Sequence, residues 1–243
     1  MGKLTWSIIA VNVIIFVLAF SLPAGQQDWL FNSLALSGGT SLQVWRWLTS
    51  MFMHASASHL FFNMLGIYFF GKILEDEAKP QWFMSIYFVA GLLGNFAFVM
   101  TSPEMVVGAS GAMFGLLGAA MLLNPLKKVH IYVFPLPLGI VSVMFAIMET
   151  FVIYFQPAEF SNVATIAHLG GLIAGAMFAF FFDAKKSMKG MAVLIVCGLL
   201  LVFLGPIFGM VAAIGSLILS FLEAIIGFFL YGLARVLGLF LWG

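Results

Sequence analysis

Three polar side chains, Ser110, His168 and Asn63, stand in segments that are otherwise almost entirely apolar. A serine hydroxyl is a weak nucleophile until a base removes its proton, and neutral histidine is the usual base. The amide of Asn63, the imidazole of His59 and a backbone N–H could stabilise the oxyanion that forms when a serine attacks a carbonyl. No acidic residue accompanies His168 in its segment. These residue types therefore favour acyl transfer by a Ser–His dyad.

The composition indicates that this chemistry takes place in a membrane. Of the 243 residues, 63% are hydrophobic and only 8% are charged, which is typical of polytopic membrane proteins. A formal net charge of +1 argues against nucleic acid as a partner. The single cysteine, Cys197, excludes an intramolecular disulfide and a cysteine metal cluster. We expect no cofactor and no metal ion.

Ser110 begins an apolar segment, residues 110–123, that is too short to cross a bilayer and stops before Asn124 and Pro125. Its 14 residues reach roughly 21 Å, whereas a hydrocarbon core is about 30 Å thick. The sequence therefore predicts that the Ser110 end lies below the membrane surface, where protein must cover the backbone or water must reach it. Gly111 and Gly115 form a pair of small residues suited to close helix contact.

The fold predicted is an all-α polytopic membrane protein with a six-helix core, residues 1–189, and a hydrophobic C-terminal extension, residues 190–243. A long tryptophan-containing connection, residues 23–57, is expected to form a folded element in or on one leaflet. The first apolar run could also be a signal peptide, but a retained helix is favoured because many spans follow. The six spans are expected at residues 4–22, 58–74, 81–100, 110–123, 131–155 and 163–182.

The extension has two interpretations. It is broken at Gly205, Pro206 and Gly209, which favours two further spans near residues 191–208 and 211–231. Alternatively, one span is followed by an interfacial helix that ends at Arg235 and Trp242.

The distribution of cations predicts the orientation in the cell membrane. With the N-terminus in the cytoplasm, all eight lysines face the cytoplasm and Arg46 alone lies outside, provided that the extension spans twice. The spans of Asn63, Ser110 and His168 then all run inward from the outer side. Asn63 and His168 would each lie roughly 8–9 Å below the outer ends of their helices, at a depth similar to that of Ser110.

Each polar side chain taken alone also has a purely structural explanation. A serine in a glycine-rich helix usually serves packing, Asn63 could bridge two helices, and an intramembrane histidine can be either a packing residue or a functional one. Glu149 is interpreted as an interfacial carboxylate that reaches headgroups, with a role in a gate or water path as the alternative. The common depth of Asn63, Ser110 and His168 favours one site, although spacing alone leaves ion binding or transport open.

Four patterns resemble the rhomboid family of intramembrane serine proteases, in the expected order and over about residues 4–182. They are the GxSG motif at Gly108–Gly111, the AHxxGxxxG motif at Ala167–Gly175, the HxxxxHxxxN pattern of His54, His59 and Asn63, and the WR pair Trp45-Arg46. Phe114, one turn after Ser110, corresponds to a position where the family often has an aromatic ring against the catalytic imidazole.

The resemblance implies roles for these residues. Ser110 would be the nucleophile, His168 the general base and then acid, and His59, Asn63 and the Ser110 backbone N–H the oxyanion donors. The supporting residues would be Trp45, Arg46, His54, Gly108, Gly111, Phe114, Gly171 and Gly175. The partners implied are transmembrane protein substrates, cut near the extracytoplasmic face, and the surrounding membrane lipids.

Two other classes of protein are alternatives to a protease. A catalytically inactive relative would bind membrane clients, and loss of Ser110 or His168 would favour it, but both are present. A transporter would use Glu149 and His168 as relay groups, and it usually has repeated halves, which this sequence lacks.

Overall fold

The structure, a computed structural model, describes residues 2–131, 134–155 and 163–241. It confirms the predicted all-α fold. Within the described residues, five helices are long and apolar enough to cross a membrane: Lys3–Phe20, Ala57–Glu75, Pro80–Thr101, Thr165–Phe182 and Ala184–Phe203. The helices are α1 Lys3–Phe20, α2 Ala24–Leu34, α3 Arg46–Thr49, α4 Ala57–Gly66, α5 Lys72–Glu75, α6 Pro80–Thr101, α7 Ser110–Leu123, α8 Leu138–Phe155, α9 Val163–Phe182 and α10 Ala184–Leu241. A π-helical segment, Ile67–Gly71, joins α4 to α5.

The short helix α7 forms the centre of the core. Its bounds, Ser110–Leu123, coincide with those expected from the sequence, and nearly all of its side chains are buried. α7 packs against both α6 and α9. Gly171 and Gly175 of α9 lie directly on the backbone of Gly111 and Gly115, and a Cβ atom at either position would overlap a carbonyl oxygen of α7. Glycine therefore sets the separation of these two helices.

The connection between α1 and α4 is folded. It consists of α2, the 3-10 turn Gly38–Thr40, α3 and the 3-10 turn Ser50–Phe52. The buried guanidinium of Arg46 holds it together: Nη1 donates to the carbonyl oxygens of Asn32 at 2.6 Å and Ala35 at 2.7 Å. These carbonyls belong to the end of α2, where an α-helix leaves its last carbonyls without intrahelical donors.

Three consecutive acidic residues join the end of α5 to three other parts of the chain. The Glu75 carboxylate accepts the backbone N–H groups of Leu4 at 2.9 Å and Thr5 at 3.0 Å, and so caps the first turn of α1. Asp76 pairs with Lys127 at 2.9 Å, and Glu77 pairs with Lys186 near the start of α10. By the predicted topology, this is the inner end of the core.

The predicted start of the fifth span was wrong. The structure has an antiparallel hairpin of β1, Lys128–Ile131, and β2, Phe134–Pro137, and α8 begins only at Leu138. Pro135 and Pro137 explain the difference, because proline lacks an N–H and clashes with the preceding turn of a helix. The Leu138 N–H donates to the Lys127 carbonyl at 2.8 Å and fixes the start of α8.

The C-terminal part separates into a unit of its own. Residues Met1–Cys197 form one compact unit and Gly198–Gly243 a second, so the first is somewhat longer than the predicted core of residues 1–189. Helical structure continues through Gly205 and Pro206, where the sequence predicts a break. An apolar environment favours this, because lipid offers the backbone no alternative hydrogen-bond partners. The division of the extension into two spans stays a prediction.

Candidate active site

The first two turns of α4 carry His59 and Asn63. Ser56 caps this helix, since its hydroxyl accepts the His59 backbone N–H at 3.1 Å. The Asn63 side chain is buried, and its amide donates one hydrogen to the His59 carbonyl at 2.8 Å. An amide has two N–H donors, so a second one is available to another acceptor.

The loop that leads into Ser110 is constrained at each residue. Gly108 has a φ of +118°, and a Cβ atom there would lie 2.6 Å from Nε2 of His59, so both conformation and space require glycine. The Gly108 N–H donates to the Ser50 carbonyl at 2.9 Å, and the Ala109 N–H donates to Nε2 of His54 at 3.4 Å. Ser110 then begins α7, with its N–H among the donors that a helix N-terminus leaves free.

Two residues that the sequence analysis did not select support this loop. The buried amide of Asn95, in α6, donates to the Trp47 carbonyl at 2.9 Å and to the Ser50 hydroxyl at 3.0 Å. Ser50, also buried, in turn accepts the Gly108 N–H through its carbonyl. The available signal was an amide side chain in the middle of a largely apolar helix, which is expensive in a membrane and thus a candidate for function.

His54 supports the loop as a neutral ring. Burial and the neighbouring His59 imidazole lower the pKa of His54 to about 4, although the nearby Phe52 carbonyl favours the charged form. A neutral ring that accepts at Nε2 carries its proton on Nδ1. Among the described residues, the buried Nδ1 has no hydrogen-bond partner of normal geometry.

His168, on α9, stacks on a ring carried by α7. The imidazole and the Phe114 phenyl are nearly parallel, at an angle of 12°, with centroids 4.5 Å apart. Phe114 is buried, whereas His168 is partly exposed. The stacking and the glycine contacts of α9 with α7 together define where the imidazole lies.

A cavity of about 1040 Å³ collects the predicted polar residues. Ser110, His168, His59 and Asn63 all line it. Its wall is otherwise largely aromatic and aliphatic, and includes Phe61, Phe62, Phe69, Phe70, Phe114 and Phe145. Such a cavity brings a hydroxyl, an imidazole and amide donors together beside a surface suited to an apolar peptide.

The remaining predicted residues lie elsewhere. Arg46 and Trp45 join α2 to α3, the latter through a 3.4 Å hydrogen bond from its indole N–H to the Ser33 carbonyl. His54 lies behind the loop before Ser110. The side chain of Glu149 is outside the described residues. Within the described part of the chain, no group of three or more histidine, cysteine or acidic side chains could hold a metal ion.

Comparison with known proteins identifies a family that matches this chain. The model of the Rhomboid domain matches residues 41–185. A candidate rhomboid protease of Bacillus subtilis, YdcA, is 30% identical over 189 residues, which cover 75% of this chain and 89% of YdcA.

Two further relatives are longer than this chain. The rhomboid protease GlpG of Yersinia pseudotuberculosis is 26% identical over 194 residues, covering 77% of this chain and 65% of GlpG. The rhomboid protease GluP of Bacillus subtilis is 32% identical over 156 residues, covering 64% of this chain and 29% of GluP. With the domain match and YdcA, these similarities show that the chain belongs to the rhomboid family of intramembrane serine proteases.

Proposed function

We propose that this protein cleaves transmembrane segments of other membrane proteins near the extracytoplasmic face, with Ser110 as nucleophile and His168 as base. The observation that carries the proposal is the single cavity lined by Ser110, His168, His59 and Asn63. A non-catalytic protein has no need to bring these four side chains to one space, because serine, histidine and asparagine in apolar helices are costly unless paired or functional.

The proposed reaction begins at the Ser110 hydroxyl. As Oγ attacks the carbonyl carbon of the peptide bond, His168 accepts its proton. The carbonyl oxygen becomes an oxyanion, for which the Ser110 backbone N–H, the Asn63 amide and the His59 imidazole are the proposed donors. The position of Ser110 at the start of α7 supports this, since the positive end of a helix dipole favours negative charge.

The second half returns the enzyme to its resting state. The protonated His168 gives its proton to the leaving amine as the C–N bond breaks, which leaves an acyl ester on Ser110. A water molecule, deprotonated by His168, then attacks the ester, and the Ser110 hydroxyl re-forms. The stack of His168 on Phe114 supports these steps, because the base must keep one orientation through two proton transfers.

The substrate class follows from the cavity wall. Its aromatic and aliphatic side chains favour an apolar segment, and its volume of about 1040 Å³ suits several residues of an extended chain. The peptide carbonyls of a helix are hydrogen-bonded within it, so the substrate has to unwind near the cut. Small or helix-breaking residues at that point should accelerate cleavage.

The orientation in the membrane is part of the proposal. Six of the eight lysines are close to the ends of helices and the hairpin that lie opposite the Ser110 end of α7: Lys3, Lys72, Lys79, Lys127, Lys128 and Lys186. The positive-inside rule then assigns this end to the cytoplasm and the Ser110 end to the extracytoplasmic side. Labelling of single introduced cysteines by an impermeant reagent in intact cells would test it.

Reconstitution tests the chemistry. The full chain is incorporated into liposomes with a single-span substrate, and cleavage by the wild type is compared with that by Ser110→Ala and His168→Ala. We expect both variants to lose activity and a serine-directed phosphonate to label only chains that retain Ser110. Ser7→Ala, which removes an exposed hydroxyl bonded to its own helix, is the matched control and should stay active. Cleavage that survives Ser110→Ala would refute the dyad.

A further inference from the structure

Four aromatic rings from four segments of the chain form a continuous series that begins at the imidazole of His168. His168 stacks on Phe114, whose ring meets Phe145 at an angle of 84° with centroids 6.1 Å apart. Phe145 in turn meets Phe70 at 88° and 6.2 Å. The series therefore passes from α9 through α7 and α8 to the π-helical segment between α4 and α5.

The three phenyl rings of this series differ in burial and so in their freedom to move. Phe114 and Phe70 are almost fully buried, at 4% and 3% exposure, so neighbouring atoms on most sides restrain them. Phe145 is only partly buried and lines the cavity. Phe145 is the member of the series that belongs to α8. Its edge-to-face contacts with Phe114 and Phe70 add stability beyond simple burial.

The π-helical segment gives Phe70 its place in the series. Ile67–Gly71 interrupts the second span between two α-helical stretches, and Phe69 and Phe70 in it both line the cavity. A π turn holds one residue more than the α-helix around it and so rotates the following side chains by about 100°. Short π segments of this kind occur frequently at functional sites.

We propose that Phe145 is a positioning residue for His168, and that it acts through Phe114. Its edge-on contact holds the Phe114 ring in the plane on which the imidazole stacks, so the position of α8 sets the direction in which the imidazole points. The proposal rests on the proposed function, since it assigns Phe145 to the proton transfer at Ser110. The ring contacts of Phe145 are with Phe114 and Phe70, and we assign it no direct part in the bond changes at Ser110.

The alternative role for Phe145 is that of a wall residue that contacts the peptide. The two roles predict different relations between substitutions. A wall residue should affect KM and act independently of Phe114, so that the effects of the two substitutions multiply. A positioning residue that acts through Phe114 should affect kcat, and its effect should disappear once Phe114 no longer offers a ring.

A double-mutant cycle in liposomes with the full chain separates them. Phe145→Leu, Phe114→Leu and the double variant are compared for kcat, KM and the rate of phosphonate labelling at Ser110. We expect Phe145→Leu to lower kcat and the labelling rate by about three- to tenfold, the range that loss of one aromatic contact implies. In the Phe114→Leu background, the same change should cost less than about twofold.

Matched variants distinguish a specific effect on kcat from a general loss of folding. Phe178→Leu removes a ring of the same size from α9, where it packs edge-on against Trp82 outside the cavity lining, and should leave kcat unchanged. Phe145→Tyr keeps the ring and should lower kcat less than Phe145→Leu does. Phe70→Leu, at the far end of the series, should lower kcat to a smaller extent.

The outcomes that overturn the inference are distinct from failure of the proposed function. Effects of Phe145→Leu and Phe114→Leu that multiply, or an unchanged labelling rate in Phe145→Leu, would contradict the positioning role. A wild-type protein that neither cleaves nor is labelled at Ser110 would instead contradict the protease itself. If Phe145→Leu does not fold, two other variants decide the question. Wild-type kcat in Phe70→Leu together with lost activity in Phe145→Tyr would then overturn the inference.

Discussion

The imidazole of His168 lies parallel to the ring of Phe114, 4.5 Å away, and Phe114 follows Ser110 by one helical turn on the same helix. The proposed nucleophile and the support of the proposed base therefore share one rigid element. A displacement of α7 would move both together, so their relation depends mainly on how α9 packs against α7.

Removal of the Phe114 ring should reduce catalysis without abolishing it. We expect Phe114→Leu to lower kcat about tenfold, because the imidazole loses the surface that orients it between two proton transfers. Phe114→Tyr keeps the ring and should stay within about twofold of the wild type. Steady-state cleavage of the single-span substrate measures both, and equal losses in the two variants would contradict an orienting role.

The Asn63 amide should matter for the transition state more than for binding. Asn63→Ala is expected to lower kcat by about 10²- to 10³-fold with little change in KM, as for the loss of one oxyanion donor. Asn12→Ala is the matched control: Asn12 is also buried and makes the same bond to the carbonyl four residues before it, at 2.8 Å, but does not line the cavity. A similar kcat in both variants would remove Asn63 from the proposed oxyanion site.

The close approach of α9 to α7 should tolerate no methyl group at its two glycines. We expect Gly175→Ala to destabilise the fold by about 3 kcal/mol or more and Gly171→Ala to do the same, since each Cβ would overlap a backbone carbonyl that cannot rotate away. Gly198→Ala has open space around it and should be neutral or stabilising by up to about 1 kcal/mol. Denaturant unfolding in detergent measures all three, and equal stability of Gly175→Ala and Gly198→Ala would contradict the packing.

His54 should make stability fall in acid. Its pKa is about 4 in the folded protein against an ordinary value of 6.5, so between these values the unfolded chain binds a proton that the folded chain does not. Stability is therefore independent of this ring above pH 6.5 and decreases as the pH falls towards 4, by about 3 kcal/mol in total. The test is the pH dependence of unfolding in wild type and His54→Gln, whose difference isolates this ring; parallel curves would contradict the prediction.

Two of the acidic residues at the end of α5, Glu75 and Asp76, should contribute unequally to the free energy of unfolding. Glu75→Gln is expected to cost about 1–2 kcal/mol, because the carboxylate caps two N–H groups of α1 and also accepts the Thr5 hydroxyl. Asp76→Asn breaks an exposed pair with Lys127 and should cost less than about 1 kcal/mol. Unfolding free energies in the same detergent compare them, and a larger loss in Asp76→Asn would contradict the assigned roles.

Much of the helical architecture could be predicted from the sequence alone. In lipid the backbone must satisfy its own hydrogen bonds, so a long apolar run has little alternative to a helix, and hydropathy and length identify it. The same argument, applied to the 14 residues from Ser110, predicted a short helix with the bounds that the structure has. Polar residues in such runs are expensive, which is why Ser110, His168 and Asn63 could be selected without knowledge of their neighbours.

Contacts between residues far apart in the chain were decided only by the tertiary structure. The Asn95 amide reaches Ser50 across 45 positions, and the ring series joins Phe70, Phe114, Phe145 and His168 from four separate segments. The hairpin before α8 likewise depends on pairing of β1 with β2. Local hydropathy carries no information on which side chains meet, because packing, helix rotation and loop conformation determine that only when the whole core is assembled.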